Sequence, residues 1–195
     1  MTAKHRVAAA ALSLTVAAAF APVHAYSLEG PTWAGKQATF DFFVTGQPSA
    51  AFSVALHRSL LIWNQKSAFK WNPVQKAANP CASSGPGGAA LRTTACGQGF
   101  GSGVLGITMY SYDGANHFIH AGTVFNANSN FTIYDGPLRA SPDFRRVAIH
   151  EMGHALGMGH ENNSSIPAIM QPFISNTDRP TTDDIRGIRA MYGAP

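Results

Sequence analysis

Hydrophobic positions in this chain change period several times, and each change marks an element. Residues 38–44 (ATFDFFV) are rich in aromatic and β-branched side chains and predict a first strand. Pro48-Ser49 then opens a stretch to about Lys66 in which Phe52, Leu56, Leu60 and Trp63 recur at three- and four-residue steps. That spacing predicts an amphipathic helix with Ser49 as its N-cap and an apolar stripe turned to the core. Residues 69–74 (FKWNPV) read as a second strand closed by Pro73. From Asn79 to Gly106, with eight glycines between Gly85 and Gly106, the pattern lapses and predicts loop. Residues 104–112 and 120–126 read as further strands. Ser141-Pro142-Asp143 then supplies an N-cap, a proline at the first helical position and an acid in the first turn. The helix they open ends at Gly157. A last helix begins at Thr181 or Thr182, with Asp183 and Asp184 in its first turn and Ile185, Ile188 and Tyr192 as its stripe. Strand, helix, several strands and two helices predict an α+β fold, a mixed sheet with helices packed on one side.

Composition narrows this to a globular chain. With 195 residues, 45% apolar and 12% charged, neither a disordered chain nor a coiled coil fits, and the length suits one domain. The formal charge of +4 is partly borne by the first 25 residues. There Lys4 and Arg6 precede an apolar run over 7–21 and the short stretch Pro22-Val23-His24-Ala25, the pattern of a secretory signal peptide. The run is shorter than the roughly 20 residues a membrane-spanning helix needs, which disfavours a retained anchor. Cleavage after Ala25 would leave one domain over 26–195 with a charge of +2 and no basic cluster, which removes the case for nucleic acid or anionic membrane as partner. Export also interprets Cys81 and Cys96. With no Cys or His close to either, they predict one disulfide rather than a metal site.

The candidate chemistry lies in His150-Glu151-Met152-Gly153-His154-Ala155-Leu156-Gly157-Met158-Gly159-His160. Four helical residues turn slightly more than once, so His150 and His154 project from one face and can share a metal ion. Gly157 permits the turn that brings His160 back as a third ligand. Three protein ligands with a fourth position left for water describe a catalytic zinc rather than a structural one. Glu151, beside the first ligand, is placed to take a proton from that water and return it to a leaving amine.

This stretch resembles the long zinc motif of the metzincin metallopeptidases. Met170, in Ile169-Met170-Gln171-Pro172, resembles that clan's Met-turn. Thr182-Asp183-Asp184-Ile185-Arg186-Gly187-Ile188, followed by Met191-Tyr192-Gly193, is similar to the end of matrixin catalytic domains. Glu161 follows the third histidine as in astacins, but the position of the astacin tyrosine ligand is Pro172, which favours the matrixins. The resemblance implies a metzincin-like twisted mixed sheet and a secreted or periplasmic, monomeric zinc endopeptidase. Protein or peptide would be its substrate, and the alanine-rich leader and minimal architecture suggest a bacterial source. No cysteine-switch segment or propeller-like domain is expected.

The resemblance also implies finer assignments. A second zinc or Ca2+ is left open at Asp113, His117 and His120, against the alternative of exposed loop histidines. Substrate would lie along an edge strand, assigned to 121–126 and so beginning at Ala121. Arg146, one turn before His150, would either shape the main specificity pocket or be a solvated surface arginine. The stretch from Pro172 to Arg179 would form the opposite wall. Asp183, Asp184 and Glu161 are candidate partners for the amino terminus of a chain beginning at Tyr26. An astacin-like enzyme, an exported zinc-binding module without turnover and a cell-wall amidase are the alternatives.

Overall fold

Apolar and β-branched residues make the strands where the sequence places most of them. The computed structural model describes residues 26–195, so the leader expected over 1–25 lies outside the described residues. Strand β1 (Gln37–Thr45) is followed by helix α1 (Ala51–Asn64), strand β2 (Lys70–Val74) and strand β3 (Gly87–Arg92). A two-stranded hairpin follows, β4 (Thr94–Ala95) with β5 (Gln98–Gly99), and then β6 (Gly106–Tyr112) and β7 (Phe118–Asn126). Helices α2 (Phe144–His154) and α3 (Thr182–Tyr192) close the chain. The main sheet runs β2-β1-β3-β7-β6, parallel throughout except for β6, which pairs antiparallel with β7. Pro73, which cannot donate to a ladder, accordingly sits in the edge strand β2.

Three expectations need correction. The glycine-rich stretch is not all loop, because β3 is the central strand. Its small residues are demanded by packing: a Cβ on Gly87 would lie 2.5 Å from the Phe40 ring, and one on Gly88 would lie 2.7 Å from the Ala78 carbonyl oxygen. The N-caps also shift. Helix α1 starts after Ala50 without a side-chain cap. Helix α2 is capped by Asp143 rather than Ser141, with Oδ1 accepting from Arg145 N at 3.2 Å. Asp143 is held extended by backbone bonds between Thr132 and its two neighbours, Pro142 and Phe144, which delays the helix past Ser141.

The core lies between the sheet and the helices. Phe40, Leu56, Leu60, Trp63, Phe125, Phe144, Met152 and Tyr192 are all buried there. Trp63 of α1 donates from Nε1 to the Ile149 carbonyl of α2 at 2.9 Å, fixing one helix against the other. The expected disulfide joins Cys81 to Cys96 and anchors the segment before β3. Among the described residues no helix is long and apolar enough to cross a membrane.

Candidate metal centre and cleft

Helix α2 ends in a turn that sets the site. Gly157 has φ +99°, the Gly157 amide bonds to the His154 carbonyl, and the Met158 amide bonds to that of Gly153. This is a Schellman termination with glycine in the left-handed position. Glycine is needed twice over here, since a Cβ would also lie 2.6 Å from the Pro31 carbonyl oxygen. The segment 27–29 straps the turned chain: Glu29 N donates to Gly157 O, and Gly159 N donates to Ser27 O. Trp33 Nε1 and the Tyr192 hydroxyl donate to the carbonyls of Ala155 and Leu156 in the turn that follows the helix.

The turn brings three imidazoles together. The Nε2 atoms of His150, His154 and His160 lie 3.0, 3.1 and 3.2 Å from one another. His150 Nδ1 donates to the Ile169 carbonyl and His154 Nδ1 to the Met158 carbonyl, each at 2.8 Å. A carbonyl can only accept, so both rings carry their proton on Nδ1 and present bare Nε2 lone pairs. Burial lowers the pKa of all three rings, that of His154 to about 4, and the neighbouring imidazoles add to the effect. The rings are therefore neutral at neutral pH. Converging lone pairs repel unless a cation lies among them, and tetrahedral zinc at 2.0–2.1 Å would space its nitrogens by about 3.3 Å. The donor set fits zinc. Among the described residues it is the one group of three potential ligands within reach of a single ion.

Met170 and Asp184 hold this centre from below. Met170 is buried, and a Cβ on Gly153 would run into its sulfur. Asp184, in the first turn of α3, accepts from Ile169 N at 2.9 Å, Met170 N at 3.2 Å and Thr181 N at 2.7 Å. The Ile169 carbonyl that orients His150 is thus fixed by α3. Asp184 is committed to this turn, which leaves Glu161 and Asp183, each with one buried carboxylate oxygen lacking a hydrogen-bond partner, for the amino-terminal expectation.

A cleft of about 830 Å³ opens over the histidines, bounded by residues 102–108 of the β6 side and by the loop 171–177. Glu151 is 4% exposed on its lining. Its Oε2 accepts from the Thr108 hydroxyl at 2.7 Å. Burial raises the Glu151 carboxyl above its ordinary pKa, while charge on His150 and the Thr108 bond act in the opposite sense.

The remaining site residues fall into three groups. Pro172 lies exposed on the lip of the cleft beside Phe173, which is 82% exposed. Arg146 is no solvated surface arginine. It is buried, with Nη1 2.9 Å from Asp143 Oδ2, Nη2 donating to the Gly136 carbonyl and its guanidinium 5.4 Å from the Tyr134 ring centroid. Ala121 does not reach the cleft. Strand β7 is flanked by β3 and β6, Ala121 is fully buried, and the strand with a free edge over the site is β6. The lack of strict apolar–polar alternation over 121–125 (AGTVF) is the signal that could have shown this, because strands buried on both faces lose it.

The structure does not gather Asp113, His117 and His120 into one site. Asp113 caps its own turn by accepting from the amides of Ala115 and His117. His120 is buried with its ring nitrogens facing the Gly85 and Pro80 carbonyls. Thr108 and the Asp143 partner of Arg146 went unread as site residues, and Asp184 was read as a partner for the amino terminus rather than as the anchor of the Ile169–Met170 turn, because each acts across long stretches of chain or through a cap.

The sequence profile of the matrixin family matches residues 94–193, half of the chain. The chain belongs to the matrixin family. It is 39% identical over 94 residues to Metalloendoproteinase 1 of Glycine max, covering 47% of this chain and 29% of that protein. It is 41% identical over 78 residues to Matrix metalloproteinase-15 of Homo sapiens, covering 37% and 11%. Over 53 residues it is 49% identical to the macrophage metalloelastase of Oryctolagus cuniculus, covering 25% and 11%. This matrixin therefore aligns with less than a third of the length of each of these relatives. The α+β architecture and the histidine triad agree with a family of zinc-dependent metallopeptidases.

Proposed function

We propose that this matrixin is an exported zinc endopeptidase that hydrolyses peptide bonds in proteins, with Glu151 as general base. The observation that carries the reading is the placing of the Glu151 carboxylate in one cleft with three convergent imidazole Nε2 atoms. A zinc ion held by His150, His154 and His160 would supply Lewis acidity, polarising a substrate carbonyl and making water a better nucleophile. Glu151 accepts the proton of the attacking water as the C–O bond forms. It then returns that proton to the amine nitrogen as the C–N bond breaks. Burial raises the basicity of Glu151, which favours the first transfer over what a solvated carboxylate could do. The free edge of β6 offers backbone groups to an extended peptide, a mode with little dependence on side chains. Arg146, from the wall of the cleft, limits the depth available to a substrate side chain, and Pro172 forms the opposing lip. The Cys81–Cys96 disulfide supports an oxidising compartment.

The test is cleavage of a mixed peptide library, read by mass spectrometry, with Glu151→Ala beside the wild type at equal bound zinc. Cuts should fall at least a hundredfold in the variant, the scale of a positioned general base. Equal cutting by both would remove Glu151 from the chemistry. A folded, zinc-loaded wild type that cuts nothing would favour the binding-module reading.

A further inference from the structure

Thr108 lies on β6 directly across from Thr123 of β7. Its Oγ1 is 2.7 Å from Glu151 Oε2, 2.8 Å from Thr123 Oγ1 and 3.2 Å from the Glu151 carbonyl oxygen. The hydroxyl has one proton to give, and the acceptors decide where it goes. The Glu151 carbonyl already accepts the helical bond from Ala155 N at 3.0 Å, and Thr123 has a proton of its own. A carboxylate is the strongest acceptor present and makes the shortest of the three contacts. The bonds therefore run from Thr123 to Thr108 and from Thr108 to Oε2, which satisfies both hydroxyls and ties one oxygen of Glu151 to the sheet.

The other oxygen faces different ground. Gly106, two residues before Thr108 and so on the same face of β6, leaves a gap beside it: a Cβ there would lie 2.8 Å from Oε1. One strand thus anchors Oε2 by a hydroxyl at one position and leaves room for Oε1 by the absence of a side chain at another.

Resting on the assignment of Glu151 as base, we propose that Thr108 is a positioning residue for catalysis. Backed by Thr123, its hydroxyl fixes Oε2 so that Oε1 alone is presented to the water and to the leaving amine. Nothing in this role touches substrate or metal. Removing the hydroxyl should therefore slow the chemical step without weakening the binding of either.

The experiment compares Thr108→Val and Thr108→Ser with the wild type in the zinc-loaded mature enzyme. Peptide cleavage supplies kcat and KM separately, and bound zinc is measured in each sample. Valine keeps the shape and loses the hydroxyl, and serine keeps the hydroxyl. A hydrogen bond to a charged group lost from the transition-state arrangement should lower kcat by about tenfold or more in the valine variant. KM should stay within about twofold and zinc content should be unchanged, while serine should recover most of kcat. Wild-type kcat in Thr108→Val would overturn the proposal, as would a loss in Thr108→Ser equal to that in Thr108→Val, which would show that keeping the hydroxyl does not keep the rate. If the valine variant does not fold, Thr108→Ala against Thr108→Ser decides on the same terms. An active Glu151→Ala enzyme would instead overturn the assignment of the base, so the two failures are distinguishable.

Discussion

The two walls of the cleft are built by different means. On the side of the Met-turn, His150 is oriented by the Ile169 carbonyl, and the amides of that turn are fixed by Asp184 of α3, fully buried. Every link is a bond to backbone, and those to Asp184 are buried, so the ligand cannot turn without disturbing the core. On the β6 side, Glu151 is held by a single hydroxyl from an edge strand whose residues 106–111 are half-buried. Ligands need a fixed direction, since a misdirected lone pair lowers metal affinity. A base needs a fixed oxygen but also an open approach for peptide, which only an unpaired edge allows.

Asp184→Ala should break the first wall and produce the largest effect. It strands the amides of Ile169, Met170 and Thr181 in or near the core, at about 1–3 kcal/mol for each buried group. An overall loss of roughly 4 kcal/mol is expected by urea unfolding. Zinc affinity, measured against a competing chelator, should fall by about 10- to 100-fold. Unchanged affinity in a folded variant would show that the turn does not orient His150.

Replacing both Cys81 and Cys96 by serine should come next, and it separates stability from the site. The bridge closes a stretch with a sequence separation of 15 residues, for which chain entropy gives about 3 kcal/mol. The stretch it closes contains β3 and contributes no residue to the lining of the cleft, so zinc affinity and KM should be unchanged while the unfolding midpoint drops. A loss of zinc in the folded double variant would couple this region to the metal centre.

The contrast between the walls also explains what the sequence could show. The ligand triad was legible because helical periodicity and a glycine turn are local, so spacing alone brings His150, His154 and His160 together. Most elements were legible for the same reason, with bounds shifted by a few residues where Asp143 displaced Ser141 as cap. Strand β3 was not, because alanine and glycine carry no period and only the Phe40 ring and Ala78 explain them. The edge strand was misassigned to 121–126 because pairing order is a property of the sheet. The burial of Arg146 depends on Asp143, Gly136 and Tyr134, which no helical pattern announces. Thr108 reads in sequence as an ordinary strand threonine, and only the register with Thr123 and the approach of α2 give it a role.

The smallest effect is expected at Gly106, and it tests the second wall alone. Gly106→Ala would set a Cβ 2.8 Å from Glu151 Oε1 and 3.0 Å from its carboxyl carbon. Alanine is tolerated in an edge strand, and the contact is with the end of a side chain, so the protein should fold with little loss of stability. The carboxylate must yield by a few tenths of an ångström while Thr108 still holds Oε2, and it should therefore pivot away from the water. A displacement of that size is expected to lower kcat by about tenfold, well short of the hundredfold that follows a 1 Å error in positioning. Zinc affinity should stay at the wild-type value, because the histidines take their orientation from the opposite wall. A parallel fall in zinc affinity and kcat would show the two walls to be one coupled unit.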